Sequence, residues 1–175
     1  MAELTSRDRL QPSLLDRLID QDPQQEREAL DARVLTRQQL RAAVLRDLSW
    51  LFNAIRTEPE AQSTRKDELA LWRGAELARH SVLNYGMPAF SGITLSSMDT
   101  HAIEGEVTAA IKAFEPRIDP ETLSVEIKLD EGNHHNSMQL IIRGQMWSQP
   151  VPLELLLAAD VDIETGNTRV RELRA

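Results

Sequence analysis

Hydrophobic positions recur with a helical period through the first two thirds of the chain and with a period of two through the last third. Leu40, Val44, Leu48, Leu51 and Ile55 fall one turn apart, and Leu45 and Phe52 widen that stripe. The spacing predicts a well-buried helix. Thr36-Arg37-Gln38-Gln39 opens it as a capping box, with a hydroxyl at the N-cap and an amide three residues on that reaches back. Arg46 and Asp47 in its middle read as solvated charge. A second stripe, Ile103, Val107, Ala110, Ile111 and Phe114, predicts an amphipathic central helix capped by Ser97 or Asp99. That helix must stop near Ala113 or Phe114, because Pro116 cannot continue the backbone ladder and also restricts Glu115.

Weaker patterns flank these two. Leu14, Leu15, Leu18 and Ile19 give a short amphipathic helix over 10–19 with Pro12 in its first turn. It is too short to hold itself and needs a surface, within the chain or on a partner. Residues 20–35 are charged and broken by Pro23, and 56–67 are a polar connection containing Pro59. Leu69, Trp72, Ala75 and Leu77 have helical spacing over 68–78, weakened by Gly74. Gly86, Pro88 and Gly92 mark a loop over 80–92, whose Val82, Leu83, Tyr85 and Met87 predict packing onto the core.

After Pro116 the period becomes two. Leu123, Val125, Ile127 and Leu129 alternate with polar residues, and 130–136 read as a hairpin loop. Met138, Leu140, Ile142, Gly144 and Met146 line one strand face, with Ile141 on the other. After Pro150 and Pro152 a third strand runs from Leu153 to Val161 and Ile163. A turn over 162–167 returns the chain through Thr168, Val170 and Glu172. The expected fold class is α+β: N-terminal helices and a central helix packed on a small antiparallel sheet formed by the C-terminal strands. Residues 1–35 read as an N-terminal extension carrying the short docking helix, and 36–175 as a single α+β domain.

Charge and composition narrow the tasks open to such a domain. Acidic residues number 28 against 20 basic ones, a net charge of −8, and no basic block occurs. Neither a nucleic-acid backbone nor an anionic membrane surface is an expected partner. Without cysteine there is no disulfide framework and no thiolate zinc site. No apolar run has signal-peptide or membrane-span length, so a cytoplasmic protein with no direct membrane insertion is expected.

Catalytic constellations are equally scarce. Glu104 and Glu115 share one side of the central helix but lie ~16 Å apart along its axis, beyond the about 5–9.5 Å of a glycosidase pair. Asp119 and Glu121 follow in a loop, and no aromatic lining suits a sugar cleft. His134-His135 sits on the hairpin loop beside Asp130 and Glu131, while His80 and His101 stand alone. No metal, no cofactor and no enzymatic activity are expected. Glu115 itself is a polar problem: a carboxylate at a helix C-terminus meets the negative end of the helix dipole, and Arg117 is the nearest compensating charge. The two form either an exposed pair contributing up to about 1 kcal/mol or a functional pair that meets a partner.

Phe114-Glu115-Pro116-Arg117-Ile118 resembles the phenylalanine-glutamate-proline-arginine motif of the lysozyme-like phage baseplate wedge family. Three further blocks are similar to its TssE-like branch of type VI secretion: Leu10 to Ile19, Val44 to Leu51, and Ser81 to Pro88. The resemblance spans about residues 10–170. It implies a structural baseplate subunit that joins TssF and TssG, with TssK a further candidate, at the base of a contractile sheath built of TssB and TssC. Carried onto this chain, it implies partner contact at Glu115, Pro116 and Arg117, and a sheath-facing surface within 153–173, including Val161, Ile163 and Val170. Leu14, Leu15 and Leu18 of the docking helix join them as expected contact residues. An anti-adaptor type of regulatory binding protein and a muramidase are the alternatives on the same fold.

Overall fold

The computed structural model describes residues 13–18, 24, 35–60, 63–90, 99–129, 137–147 and 152–173. Expectations at Leu10, Pro12, Ile19, Pro23, Gly92, Ser97, Pro150 and the loop 130–136 with its His134 and His135 lie outside these residues.

Both predicted caps form. Thr36 N–H donates to Gln39 Oε1 at 2.8 Å and Gln39 N–H to Thr36 Oγ1 at 3.2 Å, opening helix α2 (Arg37–Asn53). Asp99 accepts from Ala102 N–H at 3.1 Å and opens α5 (Thr100–Phe114). A one-turn helix α1 (Leu14–Leu18) precedes them. Between α2 and α5 come α3 (Lys66–Gly74), α4 (Glu76–Arg79) and a 3₁₀ turn at Val82–Asn84.

Four strands follow in an antiparallel sheet of order β1-β2-β3-β4: β1 (Ser124–Leu129), β2 (Ser137–Met146), β3 (Leu153–Asp162) and β4 (Thr168–Glu172). The register places Ile127 opposite Leu140, Ile142 opposite Leu157, and Val161 opposite Thr168. One sheet face therefore gathers Met138, Leu140, Ile142 and Met146 with Leu155, Leu157, Ala159 and Val161. Against them α2 buries Leu40, Val44, Leu48, Leu51 and Phe52, and α5 buries Val107 and Ile111. Helix α2 lies by β4 and α5 by β1. The α+β architecture and the C-terminal antiparallel sheet are as the periodicities predict.

Three local readings change. Helix α2 ends at Asn53 rather than running through Ile55, which is exposed and forms a parallel bridge with Met87. Two backbones meet there: Arg56 N–H donates to Met87 O at 2.9 Å and Met87 N–H to Ala54 O at 2.8 Å. Gly86, at φ 132°, makes the approach possible, since a Cβ on it would lie 2.7 Å from Ala54 O and Arg56 N. The stretch 68–78 is not one helix but two, broken at Ala75, and of its apolar residues only Leu69 is buried. Leu77 is 90 % exposed. The loop after it is packed in part: Met87, Pro88 and Phe90 are buried, whereas Val82 and Leu83 point outward.

Candidate functional site

Where α5 stops, the backbone turns through Pro116 and runs beside the end of β2. Trp147 N–H donates to Arg117 O at 3.1 Å, Asp119 N–H to Gln145 O at 2.8 Å, and Ile118 bridges to Met146. This pins the Arg117 backbone to the sheet. Its side chain reaches in two other directions. Arg117 Nε donates to Glu115 Oε1 at 2.6 Å, and Nη2 meets both Glu115 Oε2 and Asp47 Oδ2, the latter at 2.5 Å. The fork thus joins α5, α2 and β2 at one point.

Glu115 is neither an exposed partner of Arg117 nor an open carboxylate: it is 2 % exposed, buried inside this chain. Its N–H continues α5 by donating to Ile111 O at 2.8 Å, and Oε1 also accepts from Arg117 N–H at 3.2 Å. A charge this deep persists only when paired and hydrogen-bonded. Burial by itself would lower the Arg117 pKa, but the hydrogen bonds and charge of Glu115, then those of Asp47, outweigh it and hold the guanidinium above its ordinary range. Arg117 Nη1 is buried without a hydrogen bond among the described residues.

Asp47 extends the cluster. Its Oδ1 accepts from Arg46 Nε at 2.8 Å, and Arg46 Nη2 lies 2.8 Å from Asp16 Oδ1 of α1. Arg46 also stacks over Trp50, 5.2 Å from the ring centroid. Ser13 caps α1 through Asp16: Ser13 Oγ donates to Asp16 Oδ2 at 2.6 Å. Burial raises the Asp16 pKa, yet the bonds from Ser13 and Arg46 carry it below the usual carboxylate value. Arg46 and Asp47, read from the sequence as solvated charge, are links in a chain of ion pairs from α1 to the end of α5. Nothing local in the sequence marks them, because Asp47 and Arg117 are 70 residues apart.

Beside this chain lies a cleft of about 200 Å³ walled by Leu15, Asp47, Leu48, Trp50, Leu51, Tyr85, Phe114 and Glu115. Tyr85 and Phe114 meet edge to face at 5.1 Å. Burial, then the charges of Asp47 and Glu115, push the Tyr85 phenol above its ordinary pKa. Each of the four sequence blocks singled out above contributes a wall: Leu15 from the first, Asp47 to Leu51 from the second, Tyr85 from the third, Phe114 and Glu115 from the fourth.

The remaining expected contact residues divide. Leu15 turns into the cleft, while Leu14 and Leu18 are 75 % and 73 % exposed on the outer side of α1. Pro116 is exposed. Val161 and Ile163 are buried in this chain's own core, on or just after a strand paired on both sides. Their alternation marks a buried face, not an outer one, and only Val170 of the three lies on an edge strand. Glu104, the other carboxylate of α5, accepts from Ile127 N–H at 2.9 Å on the β1 edge. His80 and His101 are exposed, and among the described residues no group of three or more histidines and carboxylates could hold a metal ion. Among the described residues no helix is long and apolar enough to cross a membrane.

No curated protein and no solved structure matches the chain. Comparison with protein families does match residues 38–151, more than half of the chain, to baseplate wedge protein gp25. That span holds all of α2 but its first residue, the Ser81 to Pro88 block, α5 and the Glu115–Arg117 joint. The chain belongs to the baseplate wedge protein gp25 family, whose members are structural parts of phage-type baseplates.

Proposed function

We propose that this chain is the wedge subunit of a type VI secretion baseplate, a cytoplasmic scaffold that joins TssF and TssG and supports the start of the TssB–TssC sheath. The observation that carries the reading is the convergence of four sequence blocks, separated along the chain, on one cleft and its ion-pair chain. The four blocks that resemble the TssE-like branch thus meet at one place in the fold, beside the outward-facing Leu14, Leu18 and Trp50.

The burial of Glu115 supports a division of roles within that surface. Glu115 and Arg117 hold the joint in shape, and the outward residues, Leu14, Leu18, Pro116 and Trp50, meet the partner. No catalytic step is assigned, since Glu115 is buried against Arg117 and Glu104 is engaged with the β1 edge. The sheath is proposed to add a strand at the β4 edge.

Co-purification tests the first contact. Leu14→Asp/Leu18→Asp replaces two exposed side chains, so melting should be unchanged while TssF and TssG no longer co-purify. Full co-purification with unchanged melting would remove α1 from the interface, and a wild-type chain that does not co-purify with TssF and TssG would overturn the baseplate reading itself.

A further inference from the structure

The two edges of the sheet are both touched by side chains from helices. On β1, Glu104 takes the Ile127 N–H. On β4, Asn53 at the end of α2 does more: its Nδ2 donates to Thr168 O at 2.8 Å and its Oδ1 accepts from Thr168 N–H at 3.0 Å. Nδ2 also donates to Ser49 O at 2.8 Å, which fixes the amide against α2. A side-chain amide that donates to the C=O and accepts from the N–H of one residue occupies that edge position as the backbone of an added strand would.

Alternation in an antiparallel ladder then sorts the rest of β4. Leu173 N–H donates to Leu156 O at 2.9 Å, so residues 169, 171 and 173 bond inward to β3. Thr168, Val170 and Glu172 turn their peptide groups outward. If a second copy paired its β4 over the whole strand, two-fold symmetry would centre on Val170, with Thr168 opposite Glu172 at both ends. Each such pair would exchange two hydrogen bonds. Asn53 in each copy removes the Thr168 member, so both end pairs are lost and only the Val170 pair survives. In the same register Arg169 of one copy would face Arg171 of the other; Arg171 Nε lies 3.0 Å from Asp160 Oδ2 of its own β3, which softens but does not remove the opposition of like charges set face to face.

We propose that Asn53, with Arg169 and Arg171, guards the β4 edge against a second copy of this chain. The guard deepens the strand-addition reading of the same edge: a foreign strand placed toward Glu172 avoids Asn53 and need not carry arginine opposite arginine.

Sedimentation velocity on the full chain, with amide exchange by NMR, tests the guard. The wild type should stay monomeric as concentration rises, with slow exchange at Thr168 and fast exchange at Val170 and Glu172. Asn53→Ala/Arg169→Thr/Arg171→Thr should form a concentration-dependent dimer in which Val170 and Glu172 become protected, and adding Val170→Pro should return it to monomer. A folded triple variant that stays monomeric overturns the proposal. So does a wild type with fast exchange at Thr168 or with concentration-dependent protection at Val170, a result that needs no variant to fold. Sheath elongation with Val170→Pro in the otherwise wild-type chain reads strand addition separately; normal elongation there removes the sheath reading and leaves the self-pairing result standing.

Discussion

At the end of α5 polar groups turn inward and are paired within the chain, whereas along β4 they turn outward and, beyond Thr168, meet no neighbouring strand among the described residues. Both regions carry residues expected from the sequence to meet a partner. The difference is where the free energy goes. A buried carboxylate held by a two-armed guanidinium is committed to the fold, since stranding one member leaves an uncompensated charge inside it. An open strand edge contributes little to folding and leaves backbone donors and acceptors for another chain.

Substitutions can break the contrast, and the largest effects belong at the joint. Arg117→Met leaves the buried Glu115 without its cation while Asp47 keeps Arg46, and should cost about 3–5 kcal/mol in urea unfolding. Gly86→Ala should follow at about 1–3 kcal/mol, because a positive φ is combined with backbone 2.7 Å from the new Cβ. Circular dichroism melting at matched concentration reads both.

The edge sharpens the contrast through paired prolines. Arg169→Pro removes a donor that faces β3 and should cost about 1–3 kcal/mol. Val170→Pro removes one that faces outward, so its effect on melting should be clearly smaller than that of Arg169→Pro while sheath assembly suffers. Equal losses from the two would mean that β4 has no free side.

The smallest effect concerns α1. Asp16 has a depressed pKa in the folded chain, so its contribution is complete above the ordinary carboxylate value of about 4 and is lost as pH falls through the lower, folded one. Trp50 fluorescence, sensitive to Arg46 stacked on the ring, should therefore hold steady from neutral pH to about pH 4 and change only below it. Asp16→Asn should show the acid spectrum at every pH.

Much of this architecture is legible in the sequence because it is periodic. The stripes of α2 and α5, the capping box at Thr36 and the alternation of Met138 to Met146 each report a local geometry. What is not legible depends on contacts between distant residues. The end of α2 at Asn53 is tied to Thr168, 115 residues away, and the burial of Glu115 depends on a cation that also reaches α2. Val161 and Ile163 show a related limit: alternation tells which face is apolar, but not which strand lies at the edge. In the stretch 68–78 helical spacing is present with little burial: of that stripe Leu69 is buried and Leu77 is exposed.

The claim that Glu115 and Arg117 form an internal brace is tested most directly by a double-mutant cycle in denaturant. Arg117→Met should lose more stability than Glu115→Gln, because the group left behind in the first case is the more deeply buried. Glu115→Gln/Arg117→Met should recover part of that loss, with a coupling of about 1–3 kcal/mol. Single substitutions that leave the unfolding midpoint unmoved, with a strictly additive double, would contradict the brace and return the pair to the surface.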